Sequence, residues 1–408
     1  MKIGLVCPYD FTYPSGVVNH VISLERHFTE MGHEVKVIAP ASRSVSACGG
    51  RFIQVGKPLP IPASGSMVRI TLSMNLKSKV EEILDRENFD IIHLHEPLMP
   101  MLCIRTLLSS HSPTVGTFHA CYRKPKYAPG KPLDGYNLGK PLSTVLLRRW
   151  ARKLDGRIAV SEPARQHACK HFPGEYEIIP NGVDVQHFSP DASPIPEFCD
   201  GKLNILFVGR LETRKGFEYL LEAYKKVKQE VPNSRLIVVG PGTMLRRKYE
   251  NQIMTDGIKD VVFAGYASYD ELPGFYKTAD IFCAPATSWE SFGIVLLEAM
   301  ATAKPVVASN IEGYASVVTN SVEGLLVPPK DSESLAQALL YLMKDETLRR
   351  EMGARGRLKA QDYSWEHIAL RILDFYNEAL NKHVETNGFQ NLKLRHLLFE
   401  SKGKRQFE

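Results

Sequence analysis

Short apolar runs alternate with longer segments of helical period along most of the chain, and the alternation predicts strands followed by helices. Residues 2–7 read as a buried strand, 17–31 as an amphipathic helix stopped by Gly32, and 34–39 as a second strand. A helix of mixed charge spans 75–86, and apolar runs at 90–95, 114–117, 157–160 and 177–179 continue the strand series. Strands separated by helices at this interval imply a parallel sheet with helices on both faces. Ligands of such sheets bind beyond the carboxyl ends of the strands, so Gly16, Glu96, Pro97 and His119 are expected at one edge.

A turn cluster, Pro180-Asn181-Gly182-Val183-Asp184, and a Pro-rich stretch at 191–196 interrupt the pattern, which then restarts. Strands are expected at 204–208, 235–239, 261–264, 280–283, 305–308 and 325–327, with a helix at 216–230. The restart predicts a second doubly wound domain and a cleft between two similar halves, 1–182 and 183–365. Ser364-Trp365-Glu366 opens a last helix, expected over 366–382, and a basic tail follows at 383–408. Leucines and basic residues mix in that tail, which fits either a frayed end or a membrane-surface segment.

Composition narrows the class. A chain of 408 residues exceeds one ordinary core, and 44% hydrophobic with 24% charged residues is the balance of a globular protein. No apolar run reaches bilayer length and the N-terminus enters a strand at once, so a cytoplasmic protein is expected, with a peripheral place on the inner face of the membrane allowed. Seven scattered cysteines with no Cys-x-x-Cys pair point to free thiols in a reduced compartment.

The net charge of +6 matters less than its placement, because residues 122–153 carry nine basic side chains against the single acid Asp134. Tyr122, Tyr127, Tyr136 and Trp150 are interleaved with them, which suits an anionic lipid head group and a membrane interface. A solvated acceptor loop has the same composition. No nucleic-acid module is recognisable.

The densest candidate chemistry lies at 284–300, read as strand, polar loop and helix. A helix starting near Phe292 and Gly293 would turn its free N–H groups, from Ser291 to Ile294, toward an anion such as a diphosphate. Glu290 precedes that start and Glu298 lies inside the helix, so the two carboxylates stand roughly 10 Å apart along the axis. That is about the length of a sugar nucleotide, one carboxylate taking sugar hydroxyls and the other a ribose. An ordinary surface helix with a solvated Glu298 would carry the same spacing.

Arg210 and Lys215 flank a second strand-to-helix loop, where a guanidinium fork and a point charge can neutralise a diphosphate. In the first half, Gly16 at a helix start would let backbone approach a phosphate. Gly240-Pro241-Gly242 lacks the third glycine of a dinucleotide fingerprint, since Leu245 holds that place, which argues against an NAD-dependent enzyme. There is no Asp-x-Asp pair, so neither a metal site nor a cofactor is expected.

The run Glu290-Ser-Phe-Gly-Ile-Val-Leu-Leu-Glu298-Ala-Met resembles the Glu-x7-Glu signature of retaining glycosyltransferases of family 4, which have the GT-B fold. The resemblance extends in order from Met1 to about Lys382. The opening through Tyr9, His95-Glu96-Pro97 and Thr117-Phe118-His119 look most similar to phosphatidylinositol mannosyltransferases. It implies an α/β GT-B architecture of two Rossmann-like domains, with the helix at 366–382 packed back on the first.

By the same resemblance Arg210 and Lys215 serve the diphosphate, Glu290 and His119 face the transferred sugar, Glu298 the ribose and the Gly240 loop the base. Tyr9, Arg123, Lys124 and Lys126 fall on the acceptor or membrane side. The implied reaction moves mannose from GDP-mannose to a membrane lipid with retention, without an essential metal. Transfer from a UDP-sugar to a soluble or polysaccharide acceptor is the alternative, and a non-catalytic sugar-nucleotide or membrane-binding module is the reading from another class. Ser15 departs from the glycine that close relatives often carry there.

Overall fold

The structure, a computed structural model, describes residues 1–403 except 14, 46–47, 64–65, 74, 122–140 and 243, with backbone only for 62–63, 66–67, 141–144 and 386–403. The first half builds β1 (Lys2–Val6), β2 (Glu34–Ala39), β3 (Phe52–Gln54), a hairpin of β4 (Pro58–Ala63) and β5 (Ser66–Thr71), then β6 (Ile91–His95), β7 (Thr114–Phe118), β8 (Gly156–Ala159) and β9 (Glu177–Ile178). The second half builds β10 (Leu203–Val208), β11 (Ser234–Val239), β12 (Val261–Gly265), β13 (Ile281–Ala284), β14 (Val306–Ser309) and β15 (Gly324–Val327).

The two large sheets are wholly parallel and run β3-β2-β1-β6-β7-β8-β9 and β12-β11-β10-β13-β14-β15. Every residue of β6, β7, β13 and β14 is buried. Helices cover both faces, so β13 and β14 read as short continuous apolar runs, while β6 and β7 bury histidines and threonines among their apolar residues. Strand order reverses between β1 and β6 and again between β10 and β13. The loops leaving those strands therefore open a crevice at the carboxyl edge of each sheet.

The hairpin has no counterpart in the sequence reading. Prolines at 58, 60 and 62 argue against a strand, yet β4 pairs antiparallel with β5 from Pro58↔Thr71 to Ala63↔Ser66. N–H directions alternate along a strand, so prolines two apart remove donors from one edge only. The hairpin docks on the loop after β1, where Asp10 N donates to Arg69 O at 2.9 Å.

The last helix, Trp365–Gly403, packs Trp365, Ile368, Ile372 and Tyr376 into the core of the first sheet. Its start closes on the chain crossing: Val183 N donates to Tyr363 O at 2.8 Å, and a Cβ on Gly182 would stand 2.5 Å from Trp365. The helix does not stop near residue 382 as the sequence reading expected. Residues 383–403 contain no proline and only Gly388 before the closing Gly403, so no strong breaker ends the helix at 382. All seven cysteines are free. Among the described residues no helix is long and apolar enough to cross a membrane.

Candidate active site

Loops from both crevices line one continuous cleft. Two adjoining cavities of about 450 and 760 Å³ share Tyr13, Ser15, Gly16, Arg69, Gly209, Arg210 and Ile294 in their walls. The smaller one reaches Tyr9, His119, Arg214, Lys215, Glu290 and the backbone from Ser291 to Ile294. The larger one reaches Gly240, Pro241, Tyr269 and Glu298. The two carboxylates of the Glu-x7-Glu run thus lie at different ends of the cleft, with Arg210 common to both.

At the smaller end a turn of 3-10 helix, Thr213–Lys215, brings two cations onto one carboxylate. Lys215 Nζ lies 2.8 Å from Glu290 Oε1, and Arg214 Nη1 donates to the same oxygen. Arg214 Nε also donates to Glu212 at 2.9 Å, and Arg210 Nε stands 3.3 Å from the same side chain. Burial alone would raise the Glu290 carboxyl, but the charges of Lys215 and Arg214 outweigh it and hold the group below its ordinary value. Backbone joins the loops as well, since Thr287 N donates to Arg214 O at 2.8 Å. Arg214 escaped the sequence reading, because neighbouring basic residues in a loop differ only in direction and direction is set by the turn.

The helix carrying Glu298 begins at Ile294, slightly later than expected, after Gly293 in a left-handed conformation at φ 98°. No side chain caps it. Its first N–H groups point into the loop that lines the smaller cavity. Tyr276 donates its hydroxyl to Glu298 Oε2 at 2.6 Å. Burial raises the Glu298 carboxyl to about 7, against the lowering effect of that hydrogen bond.

Two glycines of the cleft have different surroundings. Gly240, at φ 152°, allows contact between loops, because a Cβ there would lie 2.1 Å from Gly209 O. Gly16 is not crowded by the protein at all: its nearest neighbour would be Ile294 Cδ1 at 3.7 Å. Ser15 caps the helix Gly16–Glu30 by accepting from Val18 N at 3.3 Å, which gives the departure from glycine a structural purpose.

His119 is positioned through its backbone. Its N–H and that of Ala120 donate to Glu96 Oε1 at 2.9 and 2.8 Å, and Glu96 itself adopts φ 52°. Its ring meets His95 at 3.1 Å (Nε2 to Nδ1), while His20 Nδ1 bonds Asn181 Oδ1 at 2.9 Å. Beneath them His93 contacts Thr117 Oγ1 at 2.6 Å and Tyr376 Oη at 2.7 Å. Burial keeps these rings neutral, lowering His20 to about 4 and His93 to about 3, and His95 and His119 well below the ordinary value. The sequence reading named His119 alone for a role. His93 and His95 alternate on a strand and so share a face, which was the available signal.

Tyr9, expected on the acceptor side, lines the smaller cavity and bridges to Ile70 of the hairpin. Asp10 beside it accepts from Thr12 Oγ1 at 2.8 Å and from Ser42 N at 3.1 Å. Arg123, Lys124 and Lys126 lie outside the described residues.

Known proteins resemble this chain in sequence and in fold. The family described as Glycosyltransferase Family 4 matches residues 14–187, and Glycosyl transferases group 1 matches 190–359. The phosphatidyl-myo-inositol mannosyltransferase of Mycobacterium leprae is 35% identical over 92% of this chain and 96% of its own. That of Mycolicibacterium smegmatis is 34% identical over 92% and 93%.

Among solved structures, Anabaena HepE in complex with UDP superposes with a TM-score of 0.71 at 19% identity, over 92% of this chain and 100% of that one. Sucrose-phosphate synthase from Thermosynechococcus elongatus gives 0.69 at 21% identity, over 92% and 98%, and both support the two-domain fold. Similarity that spans nearly the whole chain places this protein in glycosyltransferase family 4, as a glycosyltransferase of GT-B architecture.

Proposed function

We propose that the protein transfers mannose from GDP-mannose to an inositol phospholipid with retention of anomeric configuration. The observation that carries this reading is the division of one cleft into two carboxylate-bearing ends joined by Arg210. Glu298 accepts hydrogen bonds from the ribose. Arg210, Lys215 and the open helix start at Ile294 stabilise the charge that grows on the departing diphosphate, a preorganised electrostatic term. Glu290, kept ionised by Lys215 and Arg214, accepts from sugar hydroxyls and holds Lys215 in place. His119 presents a neutral ring and a fixed backbone carbonyl to the sugar.

In the step itself the bond from the anomeric carbon to the phosphate oxygen breaks and a bond to the acceptor oxygen forms on the same face. The acceptor proton passes to the leaving phosphate oxygen. Mannose and the lipid acceptor are supported by the activity for which the mycobacterial relatives are named. The basic, aromatic segment 122–153 favours a place at the inner face of an anionic membrane.

The test is mass-spectrometric detection of transfer from GDP-mannose, UDP-glucose and ADP-glucose to phosphatidylinositol vesicles in EDTA. A mannosylated lipid formed only from GDP-mannose is expected. Transfer only from a UDP-sugar, or only to a soluble acceptor, would replace this reading.

A further inference from the structure

Three imidazoles from three separate elements converge on the floor of the cleft. His20 comes from the helix Gly16–Glu30, His95 from the end of β6 and His119 from the residue after β7. One ring nitrogen of each lies within 4.8 Å of a nitrogen of both others. Ring centroids are 4.9 Å apart for His20 and His119, and 5.2 Å for His20 and His95.

The cluster leaves hydrogen-bonding capacity unused. His20 Nε2 and His95 Nε2 are buried without a partner among the described residues. A buried polar atom without a partner destabilises the fold, so two in one cluster call for an explanation. Asn181 fixes the His20 ring through Nδ1, which leaves Nε2 as its free nitrogen.

A neutral ring offers a lone pair from a nitrogen that carries no proton, and that is what a metal ion binds. An all-imidazole set suits Zn²⁺ and its first-row neighbours over Mg²⁺ or Ca²⁺, which need oxygen. Zn–N bonds of ~2.0–2.1 Å require the nitrogens to close by only about 1 Å per ring. His119 also lines the cleft, so a fourth position would open toward the ligand cavity.

We propose that His20, His95 and His119 form a site for a late first-row divalent cation of the Zn²⁺ class, and that metal bound there reversibly blocks glycosyl transfer. The second half rests on His119 facing the sugar in the proposed function; the first half does not. Binding requires the His95–His119 hydrogen bond to break; each ring stays neutral with its single proton on the nitrogen that does not ligate, so no proton is gained or lost.

Metal-free full-length protein titrated with Co²⁺ should develop the visible d–d bands of a four-coordinate ion, saturate at one equivalent and lose them to Zn²⁺. His20→Gln and His95→Gln should each weaken Co²⁺ binding at least tenfold, while His111→Gln, exposed in the segment before β7, should not. Far-UV circular dichroism and thermal stabilisation by GDP establish that each variant is folded. If His95→Gln fails to fold, His20→Gln decides alone.

Zn²⁺ should also stop wild-type transfer, EDTA should restore it, and His20→Gln should resist Zn²⁺ relative to its own metal-free rate. Absence of the bands, or bands that persist in His20→Gln, overturns the site. Stoichiometric Co²⁺ binding with transfer indifferent to Zn²⁺ overturns the inhibition alone. Metal binding in a protein that transfers no mannose would leave the site standing and overturn the proposed donor.

Discussion

Tyr276 and Glu298 share a 2.6 Å hydrogen bond at the end of the cleft that the proposed function gives to the nucleoside. The Glu298 carboxyl sits at about 7, raised from an ordinary 4.5 by burial. Between those values the folded chain holds a proton that the unfolded chain has lost, so this group's contribution to stability is full below 4.5 and fades as pH rises through 7. Glu298→Gln cannot ionise. It should match wild type near pH 4 and exceed it by on the order of 2–3 kcal/mol at pH 8, measured by urea unfolding without nucleotide. Parallel stability curves would show that Glu298 ionises normally.

Binding should respond in the opposite sense. Ribose hydroxyls need acceptors, so GDP should bind wild type more tightly as pH rises through 7, and Glu298→Gln should bind it roughly tenfold more weakly at pH 8 with that component of the pH dependence gone. Calorimetric titration of both proteins separates this from ionisation of the nucleotide itself.

Glu290 is held by Lys215 and Arg214 together. Glu290→Gln should keep GDP binding within a few fold and lower transfer by about two orders of magnitude. Arg214→Ala leaves the buried carboxylate with one cation and should cost about 1–3 kcal/mol of stability. Equal kcat in wild type and Glu290→Gln would remove the carboxylate from the reaction.

Three glycines, Gly16 and Gly240 in the cleft wall and Gly216 at the start of the helix Phe217–Glu230, separate structural from ligand-based need. A Cβ at Gly216 would stand 1.9 Å from Pro285 O and one at Gly240 2.1 Å from Gly209 O, both at positive φ, so either alanine should destabilise the fold by about 2–4 kcal/mol. Gly16→Ala meets only Ile294 at 3.7 Å and should leave stability within about 1 kcal/mol. Its expected effect is weaker binding of the nucleotide sugar. A destabilised Gly16→Ala, read by thermal unfolding, would contradict this division.

Glu96 holds two successive N–H groups at His119 and Ala120. Glu96→Ala releases that loop and should reduce kcat by about 10–100-fold with the KM for the donor little changed. Glu96→Gln, which keeps an acceptor oxygen in place, should recover most of the loss. If Gln behaves like Ala, the charge of Glu96 matters beyond its position.

Much of the fold was legible because short strand-like segments rich in apolar and β-branched residues alternate with helical ones, and β6, β7, β10 and β13 stand within a residue of where that alternation predicts them. The loops that follow them were legible for a related reason: glycines, cations and carboxylates at strand ends have few structural uses. The hairpin was not, because its prolines mask a pairing that depends on which edge carries the missing donors. Nor was the length of the last helix, whose residues beyond 382 favour no single state strongly enough to read.

By itself the sequence determined the two repeated α/β halves, the family, and Glu290, Glu298, Arg210, Lys215 and His119 as the residues of interest, because local hydrophobic period and short motifs are properties of neighbours in the chain. Only the tertiary structure decided that Arg214 joins Lys215 on Glu290, that Gly240 serves a loop contact and that His20, His95 and His119 meet. Those relationships join positions far apart along the chain, and they exist only once packing has fixed the directions in which side chains point.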